Sequence, residues 1–331
     1  MTQPHVVVVG AGMGGLSAAV DLAARGVKVS VFDRAHAPGG KMRQVPVGDA
    51  GIDAGPTVFT MRWIFEALFE HAGARLQEHL SLVPANILAR HGWLDGSRLD
   101  LYADIDASAE AIEAFSDRRN ADGYRAFCRR SAEVFGALKD SFIAAQRPSV
   151  GSLMSRMGIG NVPVMLRTSP TQSLWGALGK HFTDPRLRQL FGRYATYIGS
   201  SPMLTPATLM LVAHVEQDGV WLVRGGMIEV AKAMQSIAEA NGAEFSFNSH
   251  VDEILATGGR ATGIVLSNGT RVDADAVIFN GDTNALARGF LGRDASRAVG
   301  KTPTAERSLS AITWCTRAVP SGFDLVHHNV F

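Results

Sequence analysis

Gly10, Gly12 and Gly15 stand in the pattern GxGxxG at one turn of the chain, and few folds admit that turn. Before it, Val6, Val7, Val8 and Val9 form a continuous β-branched run, the pattern of a strand buried on both faces. After it, residues 13–25 are rich in Ala and Leu and read as a helix, with Gly26 where a C-cap belongs. Residues 27–33 read as a second strand. Strand, helix and strand in about 30 residues make a βαβ unit with parallel strands. Each glycine has a task in such a unit. Gly10 permits the tight turn out of the strand. Gly12 carries no Cβ, so a pyrophosphate can approach the backbone. Gly15 lets the helix pack closely on the strand. The helix start then offers free N–H groups and the positive end of its dipole to phosphates. Asp33 ends the second strand, 23 positions after Gly10. A carboxylate there suits a ribose hydroxyl and disfavours a 2′-phosphate. GxGxxG alone also fits a Gly-rich turn without a ligand. Strand, helix and acid in register point to an adenine dinucleotide.

The chain has 331 residues, enough for two structural units. Hydrophobic residues at 46% and charged residues at 19% exclude a disordered chain and allow a sizeable core. A net charge of +1 leaves no global field for nucleic acid. Cys128 and Cys315 are far apart and in no CxxC pair, which argues against a disulfide framework or a cysteine zinc site and suits a reducing cytosol. The first residues show no basic stretch and no cleavage site of a signal peptide. No apolar run reaches the roughly 18 residues of a spanning helix, so any membrane contact is expected at the surface.

The rest of the chain reads as follows. Residues 34–53, dense in Gly and Pro, are expected to form a loop, and residues 62–72 a helix. Residues 85–220 are mixed and helix-rich, with helical periodicity over 107–145. Residues 244–256 and 260–267 read as strands joined by a turn at Gly258-Gly259. Asn268-Gly269 is the dipeptide of a type I′ hairpin. Residues 271–280 complete the meander, closing on a buried strand at 276–279. Residues 308–317 alternate as a strand would, and residues 327–331 are strand-like again. Nothing follows to close that last element, so the chain reads as a fragment of a longer protein.

Pro38-Gly39-Gly40-Lys41-Met42 follows Asp33 where an NAD dehydrogenase usually runs on into another helix. A Gly-Gly-Arg/Lys turn at this point is similar to that of one flavoprotein superfamily. Ile52-Asp53-Ala54-Gly55-Pro56 is similar to the segment lying near the flavin ring there. The dinucleotide is therefore read as FAD. With Arg224-Gly225-Gly226-Met227, Ala274-Asp275-Ala276-Val277-Ile278, Asn280, Asp282 and His327-His328-Asn329 added, the chain resembles the carotenoid desaturases of the phytoene desaturase type, among the amine-oxidase-like flavoproteins. The stretch from Gly55-Pro56-Thr57 through Trp63 and Phe69 looks most like the 1-hydroxycarotenoid 3,4-desaturases, also called methoxyneurosporene dehydrogenases, of phototrophic bacteria. Members of the family are longer and carry a C-terminal Gly-rich motif that is absent here.

The resemblance implies an α/β fold. A Rossmann-type FAD-binding domain, residues 1–85 and 220–295, is interleaved with an α+β substrate and membrane-facing domain, residues 86–219 and 296–331. It implies FAD binding by Gly10, Ala11, Gly12, Met13, Gly14, Gly15, Asp33, Arg34, Gly39, Gly40, Lys41, Met42, Asp53, Gly55, Pro56 and Thr57, and by Val251 through its backbone on the adenine side. Arg224, Gly226 and Met227 are expected on the substrate side, opening a helix near the flavin, although Arg-Gly-Gly also fits a plain turn before a helix. The implied reaction is desaturation of an acyclic carotenoid, with phytoene desaturation, a protoporphyrinogen or amine oxidase, and a prenyl-protein-binding module as alternatives. No side chain accepts two electrons, so the flavin carries the chemistry and no catalytic acid or base is named. GxSxG, HExxH and Walker A patterns are missing. His327-His328 is not expected to bind one metal, because neighbours on a strand face opposite ways. A carotenoid dissolves in the bilayer. Residues 141–183 hold Arg147, Arg156, Arg167 and Lys180, no acid, and many apolar side chains, as a surface for anionic lipid would, although the apolar residues also fit the substrate domain's own core. The expected location is cytoplasmic, peripheral to the inner or photosynthetic membrane.

Overall fold

A computed structural model describes residues 3–144, 171–299 and 308–331. In chain order its strands are β1 (His5–Val9), β2 (Lys28–Phe32), β3 (Gln44–Val47), β4 (Ala50–Asp53), β5 (Leu82–Pro84), β6 (Ile87–Gly92), β7 (Arg98–Tyr102), β8 (Trp221–Val223), β9 (Glu244–Ser246), β10 (Val251–Thr257), β11 (Arg260–Leu266), β12 (Arg271–Asp273), β13 (Ala276–Phe279) and β14 (Asn329–Val330). The described residues fall into two compact units. One comprises Met1–Val83, Trp221–Glu306 and Thr313–Arg317; the other comprises Pro84–Val220, Arg307–Ile312 and Ala318–Phe331.

The first unit is built on a four-stranded sheet of order β13-β1-β2-β9, all parallel. Val7, Val8, Val29 and Val31 are wholly or almost wholly buried, which is why these runs are β-branched rather than alternating. Helix α1 (Met13–Ala24) connects β1 to β2 and buries Gly15, Leu16, Ala19, Val20 and Ala23. The helix Ile228–Ala240 packs beside α1 and shares its core. A second core lies on the antiparallel sheet β10-β11-β12 and includes Val7, Val9, Val251 and Ile264.

The second unit holds the sheet β14-β6-β7 and several helices. Helices α2 (Ile105–Phe115) and α3 (Arg118–Leu138) start on Asp104 and Asp117, whose carboxylates accept from first-turn N–H groups as N-caps do. A single π turn, Lys139–Ile143, ends α3. Phe127, Phe182 and Phe191 form the aromatic centre of this unit, with ring centroids 4.7–5.6 Å apart.

Six expectations are corrected. Residues 34–53 are no simple loop, because β3 and β4 pair as a hairpin within them. Residues 244–256 are two strands, broken where Asn248 turns left-handed (φ 52°). Asn268-Gly269 does not make a type I′ turn: only Gly269 has positive φ, and its N–H bonds Leu266 O, as in a type I turn followed by a glycine bulge. The strand at 276–279 is only half-buried, since it is the outer strand of its sheet among the described residues. Residues 308–317 form no strand. Leu309, Ile312 and Trp314 are exposed, and the alternation finds no partner strand there. His327 and His328 lie in a bend before the two-residue strand β14, so the argument from strand faces does not apply to them. Most of the basic, apolar segment at 141–183, namely residues 145–170, lies outside the described residues. No described helix is long and apolar enough to cross a membrane.

Candidate functional site

At the carboxyl end of β1 the chain turns through Gly10, whose φ of +103° is open to glycine and strained for other residues. Gly12 is the extended N-cap of α1 and supplies no side-chain cap, and the first turn carries no acid. Among the described residues no side chain caps the N–H groups of this helix start. A Cβ on Gly15 would run into Gly10 O, so the helix sits as close to the strand as a backbone allows. Gly39 donates its N–H to Ala11 O at 2.8 Å, and a Cβ on Gly40 would stand 3.1 Å from Gly12 Cα. The two glycine segments thus lie against each other. Ile228 and Ala231 close the far side of Gly39.

The Asp33 carboxylate accepts N–H bonds from Ala11 and Ala35, both at 2.7 Å. A carboxylate has about four acceptor positions, so two remain for a ligand. Asp33 O and Ala35 O in turn accept from Ser249 and Asn248 at 2.8 Å, which brings Val251 to this end of the sheet. The Val251 side chain is buried in the second core and only its backbone is available.

A second cluster forms where β3–β4 meets the segment before the helix Ile228–Ala240. Asp53 Oδ2 accepts the Met227 N–H at 2.9 Å, and Gln44 Nε2 donates to Gly225 O at 2.8 Å. Gly226 has φ +91°, and a Cβ there would meet Gln44 and Asp53. Asp53 Oδ1 is buried without a hydrogen-bond partner among the described residues. A Cβ on Gly55 would strike Lys41 O, so this turn too needs its glycine. Met42 and Met227 are core side chains, while Arg34, Lys41, Pro56, Thr57 and Arg224 are exposed. Arg224 donates its N–H to Ser81 O at 3.0 Å, and the helix begins at Ile228.

Two residues near these clusters were not among the expected site residues. Asn280 donates its N–H to Val9 O at 2.8 Å, and its side chain covers the glycine turn: Cβ atoms on Gly12 or Gly14 would come within 3.0 Å of it. Its signal was positional, since it directly follows a strand parallel to β1 and so stands at the same carboxyl edge. Gln44 lay inside a stretch read as loop, and no local signal marked it. Among the described residues no group of three or more His, Cys, Asp or Glu side chains gathers as a metal site.

This geometry can hold a dinucleotide on backbone N–H groups and one carboxylate. The family described as flavin containing amine oxidoreductase matches residues 13–319. A hydroxyneurosporene desaturase from Rubrivivax gelatinosus is 51% identical over 99% of this chain and 62% of its own length. One from Rhodobacter capsulatus is 43% identical over 100% of this chain and 67% of its own. The chain thus spans about two thirds of the length of these curated relatives. Among solved structures, an oxidoreductase from Methanosarcina mazei matches with a TM-score of 0.60 at 18% identity, covering 90% of this chain and 62% of that one, which shows a shared fold.

Proposed function

The chain belongs to the flavin containing amine oxidoreductase family, and from that premise we propose that its protein carries out FAD-dependent desaturation of an acyclic carotenoid. The reaction is removal of two hydrogens from a CH–CH bond, at the 3,4 position of a 1-hydroxy- or 1-methoxycarotenoid. The observation that carries this reading is the 51% identity to a hydroxyneurosporene desaturase across 99% of the chain.

The glycine turn fits the cofactor. Gly12 and Gly40 leave their surface free of side chains, the α1 start offers N–H groups that no described side chain caps to a pyrophosphate, and Asp33 keeps acceptor positions for a ribose. Val251 would meet the adenine side through its backbone. When bound, the flavin supplies the two-electron acceptor that side chains lack. The chain's own residues position it: Asn280 braces the glycine turn, and Asp53 fixes the start of the helix Ile228–Ala240 through the Met227 N–H. Arg224, Gly226 and Met227 are proposed to face the substrate. Peripheral contact with a membrane is part of the proposal because the substrate is bilayer-soluble.

The test is expression of the full-length protein in a host that makes acyclic carotenoids, followed by pigment analysis. A longer polyene, seen as red-shifted absorption, is expected. Unchanged pigment together with retained flavin would defeat the substrate assignment, and a protein that binds no FAD would defeat the cofactor assignment.

A further inference from the structure

The glycine turn after β1 carries a contact that the GxGxxG spacing does not call for. Gly12 leaves open the space that a side chain would fill. Apart from its own neighbours along the chain, one atom among the described residues lies within 4 Å of the point where its Cβ would stand. That atom is Asn280 Nδ2, at 3.0 Å. The same nitrogen is 3.1 Å from the Cβ position of Gly15, and Asn280 Oδ1 is 2.6 Å from that of Gly14. Gly14 is not one of the three fingerprint glycines, and Asn280 is the side chain that its missing Cβ accommodates.

The sheet puts Asn280 there. Its backbone N–H donates to Val9 O at 2.8 Å, which carries the pairing of β13 with β1 one residue further. Its side chain donates from Nδ2 to Gly10 O at 3.4 Å, a long bond. A carbonyl oxygen only accepts, so the nitrogen of the carboxamide lies toward Gly10 and Gly12 and its oxygen toward Gly14. That nitrogen carries two N–H donors. One goes to Gly10 O, and the other has no acceptor among the described residues. The hollow over Gly12 therefore has a spare donor on its wall. The uncapped start of α1 adjoins it, and donors of both kinds suit an anion.

We propose that Asn280 Nδ2 donates its second N–H to a pyrophosphate oxygen of the dinucleotide, adding a side-chain donor to the backbone N–H groups of the α1 start. This rests on the FAD reading above and adds a binding residue to it. The carboxamide is neutral, so it contributes a directed hydrogen bond and no charge. A donor and a mere filler of the turn rank substitutions differently. Asp has the shape of Asn, so it replaces a filler better than Ala does. For a donor, Ala only removes the bond. Asp removes it and also sets a negative charge beside a negative pyrophosphate. The expected order of FAD affinity is Asn, Ser, Ala, Asp.

The experiment uses the full-length protein, freed of flavin and titrated with FAD. Kd is measured by flavin fluorescence for wild type, Asn280→Ser, Asn280→Ala and Asn280→Asp. The phosphorus NMR spectrum of the bound FAD is recorded for each, and the urea midpoint of each apoprotein checks folding. Kd is expected to rise about tenfold in Asn280→Ala and about a hundredfold or more in Asn280→Asp, with Asn280→Ser between wild type and Asn280→Ala. A pyrophosphate resonance should move in Asn280→Ala while the flavin absorption stays as in wild type. Kd within about twofold of wild type in both Asn280→Ala and Asn280→Asp overturns the proposal. So does Asn280→Asp binding FAD as tightly as Asn280→Ala. Weakened binding with unmoved phosphorus resonances also overturns it and leaves Asn280 as a brace of the turn. If Asn280→Ala does not fold, Asn280→Ser against Asn280→Asp decides: tighter binding by Ser supports the proposal, and equal or weaker binding overturns it. A wild-type protein that binds no FAD instead defeats the cofactor reading itself, and this proposal with it.

Discussion

In the unit built on β1, α1 and β2, the candidate site is made largely of what side chains leave out. Gly10, Gly12, Gly15 and Gly40 clear a surface, and backbone N–H groups with one carboxylate line it. In the other unit, the polar centre is made of large side chains: Arg193, Tyr194 and Tyr197 gathered on Glu216. The first kind of site depends on close approach and fails when anything is added. The second depends on mutual satisfaction and fails when anything is taken away.

The largest effects are expected where glycine permits contact in each unit. Gly15→Ala places a Cβ on Gly10 O, and Gly123→Ala places one on His181 O. Both are backbone obstacles, so each substitution is expected to destabilise by about 3 kcal/mol or more. The comparison predicts different companions to that loss. Soluble Gly15→Ala should be colourless, while soluble Gly123→Ala should keep its flavin, as read by absorbance against protein concentration. Equal flavin contents would break the distinction between the units.

Glu216→Ala tests the opposite rule. It leaves the Arg193 cation and two tyrosine hydroxyls without their shared acceptor, and removing one partner of a buried pair costs about 3–5 kcal/mol. Urea denaturation should show that loss. The double variant Arg193→Met with Glu216→Leu, which removes both charges, should recover much of it. A single variant as stable as wild type would show that the network is not buried in the way described.

A smaller effect follows from proton linkage. The unfolded chain protonates His91 near its ordinary value of 6.5, whereas the folded protein does so only near about 3, because of burial and the Arg193 charge. Between those values the unfolded state holds the extra proton, so stability falls as pH drops through that window, by up to about 1.4 kcal/mol per pH unit. His181 and His328, also lowered by burial first, act in the same direction. In denaturant titrations from about pH 7 to about pH 5, His91→Leu should flatten the pH dependence by about 2 kcal/mol. A slope unchanged by this substitution would contradict a neutral, buried His91.

The same contrast explains what was legible in the chain. The βαβ unit, its glycine spacing and the acid at its end lie within 33 residues, and each is a local pattern with a local cause. Asn280 was visible as one of the residues of the family resemblance and as the residue after a strand, but not as a site residue, because its contact with the glycine turn depends on β13 pairing with β1 across 270 positions. Gln44 was hidden because Gly and Pro suggested a loop, while pairing of Gln44 with Asp53 made a hairpin there. The alternation at residues 308–317 was a true pattern without a partner strand among the described residues, and alternation alone does not supply backbone hydrogen bonds.

By itself, the sequence determined the parallel βαβ start and the kinship that follows from its motifs, because backbone conformation is set by neighbours along the chain. Only the tertiary structure decided that Asp53 bonds the Met227 N–H, that Asn280 lies on the glycine turn, and that Arg193, Tyr194 and Tyr197 converge on Glu216. Burial and hydrogen-bond satisfaction depend on which distant segments meet, and no spacing along the chain encodes that meeting.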